Sequence, residues 1–127
     1  MKIGIIGGGS WGTTLAQALS DNNHEVLIRD INEDFVRKIN EDHLHPFFDK
    51  VIPSSIKATT SLDEIANYSD TLVLCVPTKF MRGVLKELNS ATKEKKLLIN
   101  VSKGIEPATS LLVSQIVLEE AKDVCKD

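Results

Sequence analysis

The sequence predicts an α/β protein built on a doubly wound, mainly parallel sheet, and three observations carry that expectation. Apolar runs alternate with stretches of helical pattern along the chain. Such a βαβαβ order needs crossover helices, and these cover a parallel sheet on both faces. Two of the runs, Leu72-Val-Leu-Cys-Val76 and Leu97-Leu-Ile-Asn-Val101, are nearly all apolar, as strands buried on both faces are. The third observation is the amino-terminal segment Ile3-Gly-Ile-Ile-Gly-Gly-Gly-Ser-Trp-Gly12. It joins a short apolar run to Gly7-x-Gly9-x-x-Gly12 and then to a small-residue helical stretch, the strand, turn and helix order of a dinucleotide-binding fingerprint. The predicted sheet is therefore of the Rossmann type.

Taken in order, strands are expected at 2–6, 25–29, 56–59, 71–76 and 97–101, and helices at 10–20, 31–41, 61–67, 79–89 and 108–122. Ser61 with Glu64 has the spacing of a capping box opening the third helix. In the last helix, Leu111, Leu112, Gln115, Ile116 and Glu119 give a rough 3.6-residue stripe. The longest loop, 43–55, contains Pro46 and Pro53, which break regular structure; loops of this length in compact domains are often functional. A full dinucleotide fold has about six strands, and five are counted here. Residues 1–127 thus read as a dinucleotide-binding domain that is the front part of something longer.

Composition narrows the partners. A chain of 127 residues has one domain as its prior and is long enough to bury a substantial core. The net charge of -3 argues against nonspecific nucleic-acid binding. No apolar stretch approaches the roughly 20 residues of a membrane span. No signal peptide is visible, because Met1-Lys2 leads straight into a strand. Cys75 and Cys125 lack metal-ligand spacing, and Cys75 reads as a buried thiol. These points together favour a reduced, cytoplasmic setting. A face left open for a second domain would allow a homodimer.

Each fingerprint glycine has a physical task. Gly7 permits the tight turn out of the strand, Gly9 lets a pyrophosphate approach the backbone, and Gly12 lets the helix lie close on the sheet. The free amides at the helix start would then face the phosphates. Trp11, in the same loop, can cover a cofactor or pack under the helix. Arg29 and Asp30 end the second strand, where an acid can bond the ribose 2′-hydroxyl of NADH and an arginine can hold the 2′-phosphate of NADPH. Neighbouring strand residues point to opposite sides, so one of the two faces the ribose; the reading leans to Arg29 and NADPH, with NADH left open. Lys103 follows the fifth strand, and open α/β sheets bind ligands at the carboxyl ends of their strands. Its ammonium can pair with a phosphate or polarise a carbonyl oxygen, although spacing alone serves a solvated turn lysine beside Gly104 equally well. Phe80 on its own reads as core packing. His43-x-His45 lacks a third ligand and makes no metal site. Glu33, Asp34, Glu41 and Asp42 read as a solvated helix face, and Lys93, Lys95 and Lys96 as a basic turn too small for nucleic acid.

Four segments in this order and spacing go beyond the generic fingerprint: Gly7-Gly-Gly-Ser-Trp-Gly-Thr-Thr-Leu-Ala16, the loop from Asn40 through Ile52-Pro53, Val76-Pro-Thr-Lys-Phe-Met-Arg82, and Ser102-Lys-Gly-Ile-Glu106. Together they resemble the N-terminal domain of NAD(P)-dependent glycerol-3-phosphate dehydrogenases, over almost the whole chain. The resemblance implies an enzyme that reduces dihydroxyacetone phosphate to sn-glycerol 3-phosphate, a glycerophospholipid precursor, with NADPH or NADH as hydride donor. It implies that Gly7, Gly9, Ser10, Trp11 and Gly12 form the pyrophosphate loop. Arg29 would contact adenosine, Phe80 would line the cofactor site, and Lys103 would touch both substrate and cofactor. The family's general acid/base lysine and its Ser-Gly-Pro segment have no counterpart in these residues, so no catalytic residue is expected here. Asp49 stands where the family usually places proline, and His43 where arginine is common. Ketopantoate and 6-phosphogluconate dehydrogenases share this build, and a non-catalytic nucleotide-sensing module is the reading from another class.

Overall fold

The computed structural model describes residues 1–126. Five parallel strands, β1 (Lys2–Ile6), β2 (Glu25–Arg29), β3 (Lys57–Thr59), β4 (Thr71–Leu74) and β5 (Leu97–Asn100), form one sheet in the order β3-β2-β1-β4-β5. The helices are α1 (Ser10–Asp21), α2 (Glu33–Arg37), α3 (Leu62–Tyr68), α4 (Thr78–Ala91) and α5 (Val113–Glu120). This is the doubly wound, Rossmann-type arrangement expected from the sequence.

Strand side chains alternate between two cores, as a period of two requires. Ile3, Ile5, Val26, Ile28 and Val73 meet Ala16 of α1 and Phe35 of α2 on one face. Ile6, Leu27, Leu72 and Leu74 meet Ile65 of α3, Met81 and Leu85 of α4, and Ile116 of α5 on the other. The register sets Ile5 between Ile28 and Val73 across the sheet centre. All four residues of β4 are buried. No described helix is long and apolar enough to cross a membrane.

The sequence expectations are corrected at several places. First, the second helix begins at Glu33, because Asn32 caps it by accepting the Phe35 amide at 3.1 Å. Beyond Arg37 the backbone widens into a π-turn, Lys38–Asp42, ending at His43 with φ 52°. The side chain of Asn40 pins this turn to β3 with two bonds to the Ala58 backbone, 2.9 and 2.8 Å. Second, residues 108–112 do not extend α5. The Ser110 amide donates to the Glu106 carbonyl at 2.8 Å, and Ile105 and Leu112 form an antiparallel bridge; local bonds of this kind compete with helix.

Third, Ser61 accepts the Glu64 amide at 3.1 Å, but the return arm of the capping box is relayed. The Thr59 hydroxyl donates to Glu64 at 2.7 Å, while its oxygen accepts the Ser61 amide at 3.1 Å. Fourth, β5 is an edge strand that pairs with β4 alone. Its apolar run is not buried on both faces, since Leu97 and Ile99 remain 48% and 41% exposed. Strand 71–76 also stops at Leu74, and Cys75 is half-buried rather than enclosed, with burial pushing its thiol pKa up.

Candidate functional site

The strand order reverses between β1 and β4, and the carboxyl ends of these strands flank the crevice where open α/β sheets bind ligands. The glycine loop leaves β1 at that point. Gly7 has φ 105° and donates its amide to the Arg29 carbonyl at 2.8 Å. A side chain on it would strike the backbone of Cys75 and Val76 at 2.8 Å. A methyl on Gly12 would overlap the carbonyl oxygen of Gly7, so the helix can start this close to the strand only without one. Around Gly9 nothing lies within 4 Å of the added methyl position. Protein packing therefore explains Gly7 and Gly12, and leaves an open shelf at Gly9.

That shelf is lined with donors. Thr13 is the first residue of α1 whose amide is paired, to the carbonyls of Gly8 and Gly9 at 3.1 and 3.2 Å. Among the described residues, the amides of Ser10, Trp11 and Gly12 have no acceptor, and no acidic side chain sits in the first turn. Three free N–H groups at the positive end of a 12-residue helix are donors of the kind that can receive an anion. Trp11 stands 55% exposed on this turn rather than packed beneath it.

Asp30 and Arg29 diverge. The Asp30 carboxylate lies against the loop, accepting the Gly8 amide at 3.0 Å and the Asn32 amide at 2.9 Å. Arg29 follows Leu27 onto the α3–α4 side of the sheet. Its Nε donates to the Thr60 carbonyl at 3.2 Å, and Nη2 lies 3.9 Å from Glu87. The Arg29 guanidinium thus lies on the other side of the sheet from the Asp30 carboxylate, as the alternation of strand side chains requires.

The other side of the crevice carries Lys103 and Phe80. Lys103 is exposed on the turn after β5, and no hydrogen bond or ion pair holds its ammonium among the described residues. The turn itself is anchored at several points. Ser102 donates to the carbonyls of Val76 at 2.6 Å and Leu74 at 3.3 Å, and Thr78 donates to the Ile105 carbonyl at 3.3 Å. Gly104 supplies the left-handed residue, φ 87°. Phe80, in the first turn of α4, is 57% exposed, with the Lys79 ammonium 5.0 Å from its ring centre. Core packing does not account for it.

Two anchoring contacts escaped the sequence reading. Arg82 grips Glu106 through two parallel bonds of 2.9 and 2.8 Å, and reaches Glu120 at 2.6 Å. This ties α4 and α5 to the end of the Lys103 turn. The Arg82 guanidinium, with help from the Thr109 hydroxyl, holds the Glu106 carboxyl down at about 2, and the carboxylates in turn raise the Arg82 pKa. His45 is buried and fastens the 43–55 loop to α1. Its Nε2 lies 3.3 Å from the Ser10 carbonyl, and Nδ1 accepts the Phe47 amide at 3.2 Å. Burial lowers its pKa. Both contacts join residues more than 20 positions apart, beyond the reach of local patterns.

A parallel sheet with a glycine turn and free helix amides at its switch point defines the class of dinucleotide-binding domains. Within that class, residues 2–125 match the family model for the N-terminus of NAD-dependent glycerol-3-phosphate dehydrogenase, and the chain belongs to that family. It is 56% identical over 120 residues to glycerol-3-phosphate dehydrogenase [NAD(P)+] of Acholeplasma laidlawii, covering 94% of this chain and 36% of that protein. The like-named protein of Listeria innocua is 46% identical over 121 residues, again covering 94% and 36%. The chain therefore spans about a third of the length of these curated relatives. The crystal structure of glycerol-3-phosphate dehydrogenase from Coxiella burnetii superposes with a TM-score of 0.83 at 24% identity, covering 94% of this chain and 37% of that one. GDP-mannose dehydrogenase from Pseudomonas aeruginosa gives 0.76 at 21% identity, covering 99% and 35%, which shows how widely the fold is shared.

Proposed function

We propose that this chain is the cofactor-binding domain of a two-domain NAD(P)-dependent glycerol-3-phosphate dehydrogenase, which reduces dihydroxyacetone phosphate to sn-glycerol 3-phosphate. The observation that carries the reading is the shelf at Gly9, where the free amides of Ser10, Trp11 and Gly12 converge. This donor set fits a pyrophosphate. Gly7 and Gly12 shape the turn, Gly9 leaves room for the phosphates, and exposed Trp11 flanks them. A bound nicotinamide cofactor would supply the hydride.

Phe80, exposed at the start of α4, gives a flat apolar wall for the nicotinamide end of the site. The unpaired ammonium of Lys103 would hold a substrate phosphate or stabilise negative charge growing on the carbonyl oxygen. Ser102 and the Arg82–Glu106 pair keep the Lys103 turn in place, so its charge is positioned before substrate arrives. No residue here is assigned to move the substrate proton; that step belongs to the second domain. The chain by itself is accordingly expected to bind cofactor without useful turnover. Self-association through the exposed edge strand, with Leu97 and Ile99 uncovered, is part of the same proposal.

Two measurements test this reading. Titrating the chain with NADH and NADPH should quench the fluorescence of Trp11, the single tryptophan, in a saturable way. The full-length protein should oxidise one of these cofactors only when dihydroxyacetone phosphate is present. A folded chain that binds neither cofactor, or a full-length protein inert toward that substrate, would overturn it.

A further inference from the structure

We propose that His45 is a positioning residue of the cofactor site: its imidazole donates to the carbonyl oxygen of Ser10, and so fixes and polarises the peptide unit whose other end is the free Trp11 amide. The inference rests on the reading, proposed above, that this amide meets the cofactor's diphosphate. The 43–55 loop thereby contributes to cofactor affinity through the start of α1.

The loop presents His45 rigidly. It folds back as a short hairpin, with the His45 amide donating to the Lys50 carbonyl at 2.8 Å, the Ile52 amide to the His43 carbonyl at 2.8 Å, and Leu44 and Val51 forming an antiparallel bridge. His45 itself is 1% exposed. A buried polar ring needs its hydrogen bonds made, and two of them decide its state. Nδ1 accepts the Phe47 amide at 3.2 Å, so it carries no proton. The proton of the neutral ring therefore sits on Nε2, which faces the Ser10 carbonyl oxygen at 3.3 Å. Burial, together with the positive charges of Lys50 and Lys38, lowers the ring's pKa and favours that neutral form.

A carbonyl and the N–H that follows it belong to one planar peptide unit. A donor bound at the Ser10 oxygen draws electron density from the Trp11 nitrogen and makes its N–H a stronger donor. Bonds chained in this way strengthen one another by roughly 10–30% each. The Ser10 oxygen receives two side-chain donors, His45 and the Thr14 hydroxyl, the latter at 2.7 Å. Gly8 shows the same device one step earlier, where its carbonyl accepts the Thr13 hydroxyl at 2.8 Å behind the Gly9 amide. The bond from His45 differs in coming from outside α1, 35 positions along the chain. It therefore also fixes the tilt of the peptide plane against the rest of the fold. A second contact steadies the same loop. Phe47 packs edge-on against Phe35 with ring centres 6.2 Å apart, and the Phe35 ring fills the space beside Gly8.

The test joins titration calorimetry with NADH to amide-resolved NMR of the chain. His45→Gln keeps an N–H at the place of Nε2, whereas His45→Phe keeps the ring volume without either bond. His45→Phe should raise Kd for NADH about threefold or more, and should move the Trp11 amide proton upfield in the absence of cofactor. His45→Gln should bring both close to their native values, although it too loses the Phe47 bond. A role confined to holding the loop would weaken binding alike in the two variants. In the native chain, the His45 Nε2 resonance should move in step with the Trp11 amide as NADH is added. The proposal is overturned if His45→Phe binds NADH as tightly as the native chain, if His45→Gln binds no better than His45→Phe, or if the His45 ring stays unmoved while NADH saturates the site. Should the variants fail to fold, the native titration decides the matter. Saturable binding with the His45 ring unmoved removes the His45 assignment and leaves the proposed function standing. No binding, by a chain shown folded by circular dichroism, removes both.

Discussion

Alanine at Gly9 and alanine at Gly12 put the same methyl group into opposite surroundings, and the difference separates binding from folding. At Gly12 the methyl overlaps the Gly7 carbonyl oxygen, a backbone atom that cannot swing aside. Relief requires moving α1 off the sheet, and overpacking of this kind costs roughly 1–3 kcal/mol. At about 4 °C per kcal/mol for a domain of this size, the midpoint of thermal unfolding should fall by roughly 4–12 °C. At Gly9 the methyl meets nothing within 4 Å. The cost there is limited to a poorer helix N-cap, within about 1 kcal/mol. That methyl nevertheless occupies the shelf in front of the free amides. Losing one charge-assisted hydrogen bond to phosphate, about 1.5–3 kcal/mol, weakens cofactor binding roughly ten- to a hundredfold. Melting curves by circular dichroism and cofactor titrations on both variants provide the comparison. The reasoning is refuted if Gly9→Ala melts as low as Gly12→Ala, or if it binds cofactor as tightly as the native chain.

Other outcomes follow from the anchoring contacts. The Glu106 carboxyl, held at about 2 against an ordinary 4.5, is depressed in the fold; its contribution is full above about 4.5 and is lost as pH falls toward 2. Glu106→Gln should therefore flatten the dependence of the melting temperature on pH across that window. The His45 pKa is lowered by burial, so the fold favours neutral imidazole, and the benefit present above 6.5 is lost as pH drops below it. Hydrogen exchange at the Phe47 amide should accelerate as the solution is acidified through that range. Lys103→Met should leave the melting temperature within about 1 °C, because its exposed ammonium has no partner to lose, while strongly reducing turnover of dihydroxyacetone phosphate by the full-length protein. Light scattering of the isolated chain should show association rising with concentration, driven by uncovered apolar residues of β5 such as Leu97 and Ile99.

The parts of this protein that could be read from the sequence are those where the requirement is local. Gly7 needs a positive φ and Gly12 a close approach, and both needs follow from the turn between one strand and the next helix. The two-sided burial of β4 likewise shows in its run of apolar residues. The same composition misleads for β5, because apolar character does not say whether a strand lies inside a sheet or at its edge. The choice between Arg29 and Asp30 depended on strand phase. With Val26, Leu27 and Ile28 all buried, β2 gives no polar alternation from which to set that phase. Residues 108–112 had a helical stripe, but Thr109 and Ser110 found closer partners around Glu106. The ties from Arg82 to Glu106 and from His45 to Ser10 depend on the assembled fold, and no spacing along the chain encodes them.

The central claim is that the free amides at the start of α1 receive the cofactor's diphosphate. The most direct measurement is an amide-resolved NMR titration of the isotopically labelled chain with NADH. The account predicts that the amide resonances of Gly9, Ser10, Trp11 and Gly12 move together and saturate, with the largest shifts in the chain, while those of α5 stay still. Saturable shifts centred elsewhere, with the Ser10, Trp11 and Gly12 amides unmoved, would contradict it.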